Sequence, residues 1–489
     1  MVGGGGSGLA AAASAARRGA AVMVLEKEPQ LGGTTGIAVG SFTACRTRLQ
    51  RRAGIDDEVG DHAEDAGKFA PAAVEARNNG ELRRWFLGHA ADTLEWLEAM
   101  GLRFHGPSPE PPNRVPRMHN AVPGAKAYIA VLQAQVRRWG GAARCGARVT
   151  ELRRTGSRVS GVVAEEAGRR TEYGASRGVV LAAGDYAGSP ELIRQYKGDE
   201  YREVEGINPY STGDGHRLAA AAGARLVNME VTYGPEIRFV APPGRTFQQL
   251  LPSRGPLAAL MGRLVPLAPA FLVNAMVRRL LVTWQHPESG LFDSGAVLVN
   301  REGARFCDET ASPAREIALA RQPGKIGYIL LDQPLADQYS RWPHFVSTAP
   351  RIAYAYVQDY LKLRPDVAAA GPTLAAVAAR RGMPAGPLEA AVAAHNQELA
   401  AAGRRPLRGD RWVLLGPAKA YFTTTEGGAA IDRQCRCLDR EGQPIPGLYA
   451  VGQNGLGGQI LWGHGLHIAW AITSGRLVGE RLAGGEGSQ

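Results

Sequence analysis

Gly3, Gly5 and Gly8 form a G-x-G-x-x-G turn, and its surroundings constrain the fold more than any other feature of the chain. Val2 ends a strand before the turn. Residues 9–18 are alanine-rich and helical in character, Gly19 stops that helix, and 21–25 is an apolar strand. Glu26 ends that strand. Strand, glycine turn, helix, strand and acid in this order are the dinucleotide fingerprint in its required context. The first glycine permits the tight turn, the second lets the backbone approach a pyrophosphate, and the third lets helix and strand pack closely. The helix N-terminus then favours the phosphate charge, and the Glu26 carboxylate accepts from ribose hydroxyls. Only Met1 and Val2 precede the turn, where a strand of about five residues is expected. That shortness predicts a natural start upstream or a shortened chain.

The rest of the chain alternates in the same style before changing. Residues 31–41, LGGTTGIAVGS, are small enough to pass close to a bulky planar group. Helices are predicted over 80–102 and 127–139, and strands over 148–154, 159–165 and 178–181, the last running into AAGDY at 182–186. STGDG at 211–215 enters an alanine-rich helix with Asp214 at its edge, where the carboxylate either caps the helix or meets ribityl hydroxyls. From about 231 to 411 aromatics and longer helices dominate. From about 417 the glycine-rich style returns, with a strand ending at Val451 and Gly452 and a helix over 468–483.

A dinucleotide fold that needs both chain ends is characteristic of FAD rather than nicotinamide enzymes. Gln453 falls near the ribityl chain, and the final helix aims its positive end at the flavin pyrimidine edge, where it stabilises charge on the reduced ring. The expected architecture is α/β: a Rossmann-like FAD-binding domain in two chain segments, 1–230 and 412–489, around an inserted α+β substrate or capping domain at 231–411. The residues expected to hold FAD are Gly3, Gly5, Gly6, Ser7, Gly8, Glu26, Lys27, Gly32, Gly33, Thr34, Thr35, Gly36, Val149, Ala183, Gly184, Asp214, Gly452, Gln453, Leu466, His467 and Ile468.

GGGGSGLAAA with Glu26, GGTTG at 32–36, TGDG at 212–215, NREGARFCDE at 300–309, TEGG at 425–428, and IPGLYAVGQ through SGRLVG occur in this order over essentially the whole chain. In this the chain resembles the fumarate reductase and 3-ketosteroid dehydrogenase family of flavoproteins. The resemblance implies hydride exchange between flavin N5 and a carbon–carbon bond beside a carbonyl or carboxylate. The departures are informative. The histidine that tethers FAD covalently in succinate dehydrogenases has no counterpart in GTTGIAVGSF, so the flavin is expected to be non-covalent. Thr423, Thr424 and Thr425 stand where fumarate reductases carry a histidine, and Trp462 falls near the position of their carboxylate-clamping arginine. Losing such a bidentate pair disfavours a C4 dicarboxylate. Leu461 occupies the place of the ketosteroid dehydrogenase tyrosine once Gly465 is matched to that family's carbonyl-binding glycine.

Desaturation beside a carbonyl needs a base for the α-proton, the flavin for the β-hydride, and a donor to the enolate oxygen. His464 is a candidate base or donor, and the Gly465 N–H a candidate oxyanion donor. Tyr233, Tyr354, Tyr356 and Arg238 are the candidates from the inserted region. Arg305 and Glu309 are expected to tie the cap to the FAD domain, and His119 to approach the flavin from the 100–125 loop. The expected substrate is a hydrophobic, cyclic carbonyl compound. A fumarate-reductase-like reaction on a carboxylate and a catalytically inert electron-transfer module are the alternatives.

Composition bounds the partners. A net charge of +11 favours anionic ligands, but the arginines are scattered, which argues against nucleic acid. Five irregularly spaced cysteines suit a reducing cytoplasm better than a disulfide framework, and Cys435 with Cys437 lacks further ligands for a metal. No iron–sulfur or haem motif accompanies the flavin blocks, which predicts a diffusible electron acceptor. Residues 255–284 are apolar but interrupted by Pro266, Pro269, Arg263, Arg278 and Arg279. They suit two buried helices, a lid over an apolar pocket, or a peripheral helix in a membrane interface.

Overall fold

The computed structural model describes residues 1–242, 244, 251–252, 257, 260–261, 264, 269–349 and 351–484. The chain folds as mixed α/β around two hydrophobic cores. One gathers residues 2–224 and 429–478, the other residues 186–422.

The first core is built on a parallel sheet. Strand Met23–Glu26 pairs with Ala142–Cys145 on one side. On its other side Val2 bridges both Leu25 and Leu181 in parallel, which puts it between those two strands. Val2 N–H donates to the Val180 carbonyl and Gly3 N–H to that of Leu25, each at 2.8 Å. Val179–Leu181 continues in parallel to Pro444–Ala450. An antiparallel sheet of Ala147–Thr155, Arg158–Glu166 and Arg169–Gly174 flanks it. Its third strand escaped the sequence reading because it carries no apolar face: every residue in it is exposed or half-exposed.

Helix Gly6–Arg17 runs from the glycine turn through this core and packs along helix Leu466–Gly484. The contact is backbone on backbone. A Cβ on Gly475 would lie 2.3 Å from the Ser7 carbonyl oxygen, and one on Gly479 would lie 2.2 Å from that of Ala11. Residues four apart share a helix face, so these two glycines form the groove that accepts the alanine-rich helix. Substituting Gly479→Val leaves no side chain able to yield, and is expected to cost upwards of about 3 kcal/mol. Thermal unfolding together with retention of bound flavin checks this.

The second core surrounds strand Trp412–Phe422, which pairs with Glu236–Phe239, Gly327–Leu331 and Ala368–Gly371. Two short antiparallel ladders join the cores: Leu226–Val227 with Gly428–Ala429, and Thr232–Tyr233 with Thr424–Thr425. Leu226 packs against both cores. Part of the 255–284 segment lies outside the described residues, and its described part includes helix Ala270–Trp284. Among the described residues no helix is long and apolar enough to cross a membrane.

Candidate active site

A cavity of about 830 Å³ opens along the glycine turn. Gly3, Gly5, Gly6, Ser7, Glu26, Lys27, Gly32, Gly33, Thr34, Thr35, Gly36, Val149, Ala183, Gly184, Asp214 and Gln453 all line it, with Asn208 and Ser211 added by the structure. Helix Gly6–Arg17 has Gly5 as its N-cap and no side-chain cap, so its first N–H groups point to the cavity with no side chain competing for them. Gly3 adopts φ +106°, and a Cβ there would meet the Ala182 carbonyl oxygen at 2.4 Å. Glu26 is set by the backbone: its Oε2 accepts from Gly4 N–H at 2.6 Å and its Oε1 from Glu28 N–H at 3.0 Å. Lys27 Nζ donates to Thr212 Oγ1 at 2.6 Å and to Asp214 Oδ2 at 3.0 Å. Burial opposes the Asp214 charge, but Lys27 and Arg148 outweigh it and hold the carboxyl below its ordinary range. Asp214 opens its helix without a side-chain cap bond, and its partners are Lys27, Arg148 and the Thr212 hydroxyl, not the helix N–H groups. Gln453 Nε2 donates to Thr424 Oγ1 and the Thr425 carbonyl, while its buried Oε1 has no protein partner. An orphaned acceptor on the cavity wall fits a donor group of a bound cofactor.

Gly8, Gly452, Leu466, His467 and Ile468 flank this cavity without lining it. Gly8 packs against the Gly3 backbone, where a Cβ would stand 2.0 Å from the carbonyl oxygen. Gly452 N–H donates to Ser474 Oγ at 3.0 Å. His467 Nε2 pairs with Glu426 Oε1 at 2.8 Å, and the Glu426 side chain is fully buried.

Beside this lies a second group of polar side chains where the two cores meet. His464 precedes the final helix. Its carbonyl accepts from Thr43 Oγ1 at 2.6 Å. Its backbone N–H donates to Glu110 Oε1 at 2.9 Å, and its ring Nδ1 lies 2.5 Å from the same oxygen. The His464 side chain is 54% exposed, while that of Glu110 is 4% exposed. Surrounding protein disfavours the imidazolium, but Glu110 and then Glu236 outweigh this and raise the His464 pKa above its ordinary value. Arg238 Nη2 donates to Glu236 Oε2 at 2.8 Å and to Thr423 Oγ1 at 3.3 Å. His286 shares this electrostatic neighbourhood, and burial lowers its pKa. Tyr233 lies against Trp462 with ring centroids 5.0 Å apart, and burial pushes its hydroxyl up to about 12. The buried Trp462 Nε1 and His286 Nδ1 have no hydrogen-bond partner.

Not every candidate joins this group. Tyr354 packs on Trp342 and Phe345 in the second core's periphery, and Tyr356 precedes helix Val357–Leu363, its N–H held by Asp359. Neither has a described contact with His464 or its neighbours. His119 does not approach the cavity from a loop. It lies fully buried in strand Met118–Val122, 3.0 Å from Thr47 Oγ1, and burial lowers its pKa to about 4. Arg305 and Glu309 do not bridge the two cores. Arg305 pairs with Glu309 and with Glu398, both within the second. Glu110 was missed altogether. It sits among prolines, and nothing in its local pattern points 354 residues ahead to His464. Glu426 had a visible signal, an acid inside the TEGG block.

These features define a nucleotide-cofactor oxidoreductase. The model of the FAD binding domain family matches residues 1–459, and the chain belongs to that family. It is an FAD-dependent flavoenzyme. A probable fumarate reductase of Shewanella frigidimarina is 26% identical over 482 residues, covering 95% of this chain and 71% of the relative. The fold is that of a flavocytochrome c3 fumarate reductase solved in an open conformation, with TM-score 0.72, 24% identity and coverage of 99% of this chain and 77% of that one. A 3-ketosteroid Δ1-dehydrogenase from Sterolibacterium denitrificans shares the fold at TM-score 0.65 and 18% identity, with 99% of each chain covered.

Proposed function

We propose that this enzyme desaturates, or in reverse reduces, a carbon–carbon bond beside the carbonyl of a hydrophobic, cyclic substrate. One observation carries the reading. The wall beside His464 is aromatic, Tyr233 on Trp462, and Arg238 is already engaged by Glu236 and Thr423. A small dicarboxylate calls for a cation free to form a bidentate pair. A ring bearing one carbonyl calls for an apolar wall and a few donors.

The reading places FAD, held non-covalently, in a domain made of both chain ends, with residues 231–411 as the substrate-covering insertion. The two cores and the ladders between them support this. Bound FAD supplies the hydride acceptor or donor. His464 takes the proton from the carbon beside the carbonyl, or returns it. The Tyr233 hydroxyl and the Gly465 N–H donate to the carbonyl oxygen as negative charge grows there. Trp462 Nε1, buried and unpartnered, is a further donor toward the substrate. Electrons leave to a diffusible acceptor.

A fumarate-reductase-like reaction is the second reading. Arg238 lies in the charge neighbourhood of His464, and a substrate carboxylate that displaced Glu236 would meet it. Anaerobic spectroscopy separates the two. Saturated cyclic ketones are expected to bleach the oxidised flavin, or cyclic enones to reoxidise the reduced form. Rapid reoxidation by fumarate, with no response to any cyclic ketone, overturns the first reading.

A further inference from the structure

We infer that Glu110 is a positioning residue for proton transfer: it fixes the tautomer and aim of His464 and is itself held by a chain of side chains that runs through Asn113 and Arg117 to the buried Asp57 and Asp65. The inference rests on the proposed role of His464.

The geometry begins at the imidazole. Glu110 Oε1 receives both the backbone N–H and the ring Nδ1 of His464, at 2.9 and 2.5 Å. A single oxygen that accepts from main chain and ring together fixes the position of the residue and the rotation of its ring. A carboxylate oxygen only accepts, so Nδ1 carries the hydrogen. Nε2 is then the atom that exchanges a proton, and among the described residues it has no hydrogen-bond partner. The side chain's 54% exposure opens it to the cleft. A carboxylate–imidazole pair of this kind orients the ring and stabilises the imidazolium that forms when Nε2 takes a proton. No atom of Glu110 needs to meet the substrate, and its 4% exposure keeps it from doing so.

The loop carrying Glu110 is itself held. Asn113 N–H donates to the Glu110 carbonyl at 2.9 Å, and Asn113 Nδ2 reaches Glu110 Oε2 at 3.4 Å. Asn113 Oδ1 accepts from Arg117 Nη1 at 3.0 Å. Arg117 in turn grips Asp57 with Nε and Nη2, at 2.8 and 2.7 Å, and Asp65 with Nη1 at 2.6 Å. Arg117 and Asp65 side chains are fully buried and Asp57 nearly so. The charged groups facing His464 are therefore Glu110 from this loop, Glu236 and Arg238 from strand Glu236–Phe239, and His286 beyond the end of helix Ala270–Trp284. Of the groups hydrogen-bonded to its ring, Glu110 alone is described.

The test uses flavin-loaded enzyme with ring-labelled histidine, the His464 resonance being assigned from H464Q. In E110Q the His464 titration is expected to move to lower pH. The rate of flavin bleaching by a saturated cyclic ketone is expected to fall on the order of 10–100-fold, the scale seen for carboxylates behind metal-ligating histidines, with KM little changed. E110D is expected to recover part of both. Should E110Q lose its flavin or its fold, N113A asks the same question from the far side of Glu110, and its His464 titration is expected to move in the same direction. An unmoved His464 titration in a folded E110Q or N113A overturns the inference, whatever the activity. Full turnover in H464Q overturns instead the role of His464 on which it rests.

Discussion

H464Q is expected to slow substrate-dependent flavin reduction or reoxidation by about 10²–10⁴, the range over which a positioned acid–base group acts. Flavin content should not change, because the cavity along the glycine turn does not use this side chain. The pH dependence carries a sign. His464 titrates above its ordinary value because Glu110 outweighs the surrounding protein. Desaturation needs the neutral ring, so its rate should rise as pH climbs through that raised midpoint. Reduction needs the charged ring, so its rate should fall through the same midpoint. Both limbs should vanish in H464Q. Anaerobic single-turnover mixing across pH reads this directly, and a limb that survives the substitution would assign the proton to another group.

The second large effect concerns stability. R117M removes the cation that joins Asp57 to Asp65. The arginine is buried with no exposed surface, as is Asp65. Breaking such a buried pair from one side typically costs about 3–5 kcal/mol, because the abandoned carboxylates stay buried. The loss should show in denaturant or thermal unfolding. The variant's stability should also depend less steeply on pH in the acid range. Burial works against the Asp65 charge, but the Arg114 N–H, Lys68, Arg117 and Arg114 outweigh it and hold the carboxyl well below the usual carboxylate range. A depressed folded-state pKa contributes stability that is present above the unfolded value and lost as pH falls through the folded one. With Arg117 gone the folded value rises toward the unfolded one, so this group has less stability to lose as pH falls between the two values. Equal acid sensitivity in the two proteins would show that Asp65 does not depend on Arg117.

Much of the cofactor cradle was legible in the sequence because its requirements are local. A glycine turn between strand and helix, an acid at the next strand's end, and small residues at 32–36 can each be read within a short window. The pairing of the two chain ends was legible because the glycine-rich style returns after 417. The proposed acid–base group was legible only by halves. His464 stood out beside the final helix, but its partner Glu110 lies in a proline-rich loop where one carboxylate has no periodicity to announce it. The chain from Asn113 through Arg117 to Asp57 and Asp65 is invisible for the same reason: its links join single polar residues up to 60 positions apart. His119 shows the converse error. Its surroundings, RMHNAVPG, look like a loop, but the segment pairs with Ser41–Thr43 and Arg103–Ser108 as the middle strand of a sheet. Tyr354 and Tyr356 were chosen for their chemistry, and chemistry alone does not bring a residue to a site.

The packing of helix Gly6–Arg17 into the groove at Gly475 and Gly479 sets an order on biosynthesis. A ribosome delivers the glycine turn long before the helix that braces it. Until residues 466–484 emerge, the face of the first helix that meets Gly475 and Gly479 has no partner, although its other side packs on helix Lys126–Arg138. Domains tend to fold as they leave the ribosome, N-terminal parts first, but here the N-terminal part waits for the C-terminal one. Flavin capture is therefore expected only once residues 466–484 have emerged, and a chain truncated before them should not retain flavin. Flavin supply and chaperone protection at that moment should govern the yield of active protein more than its equilibrium stability does.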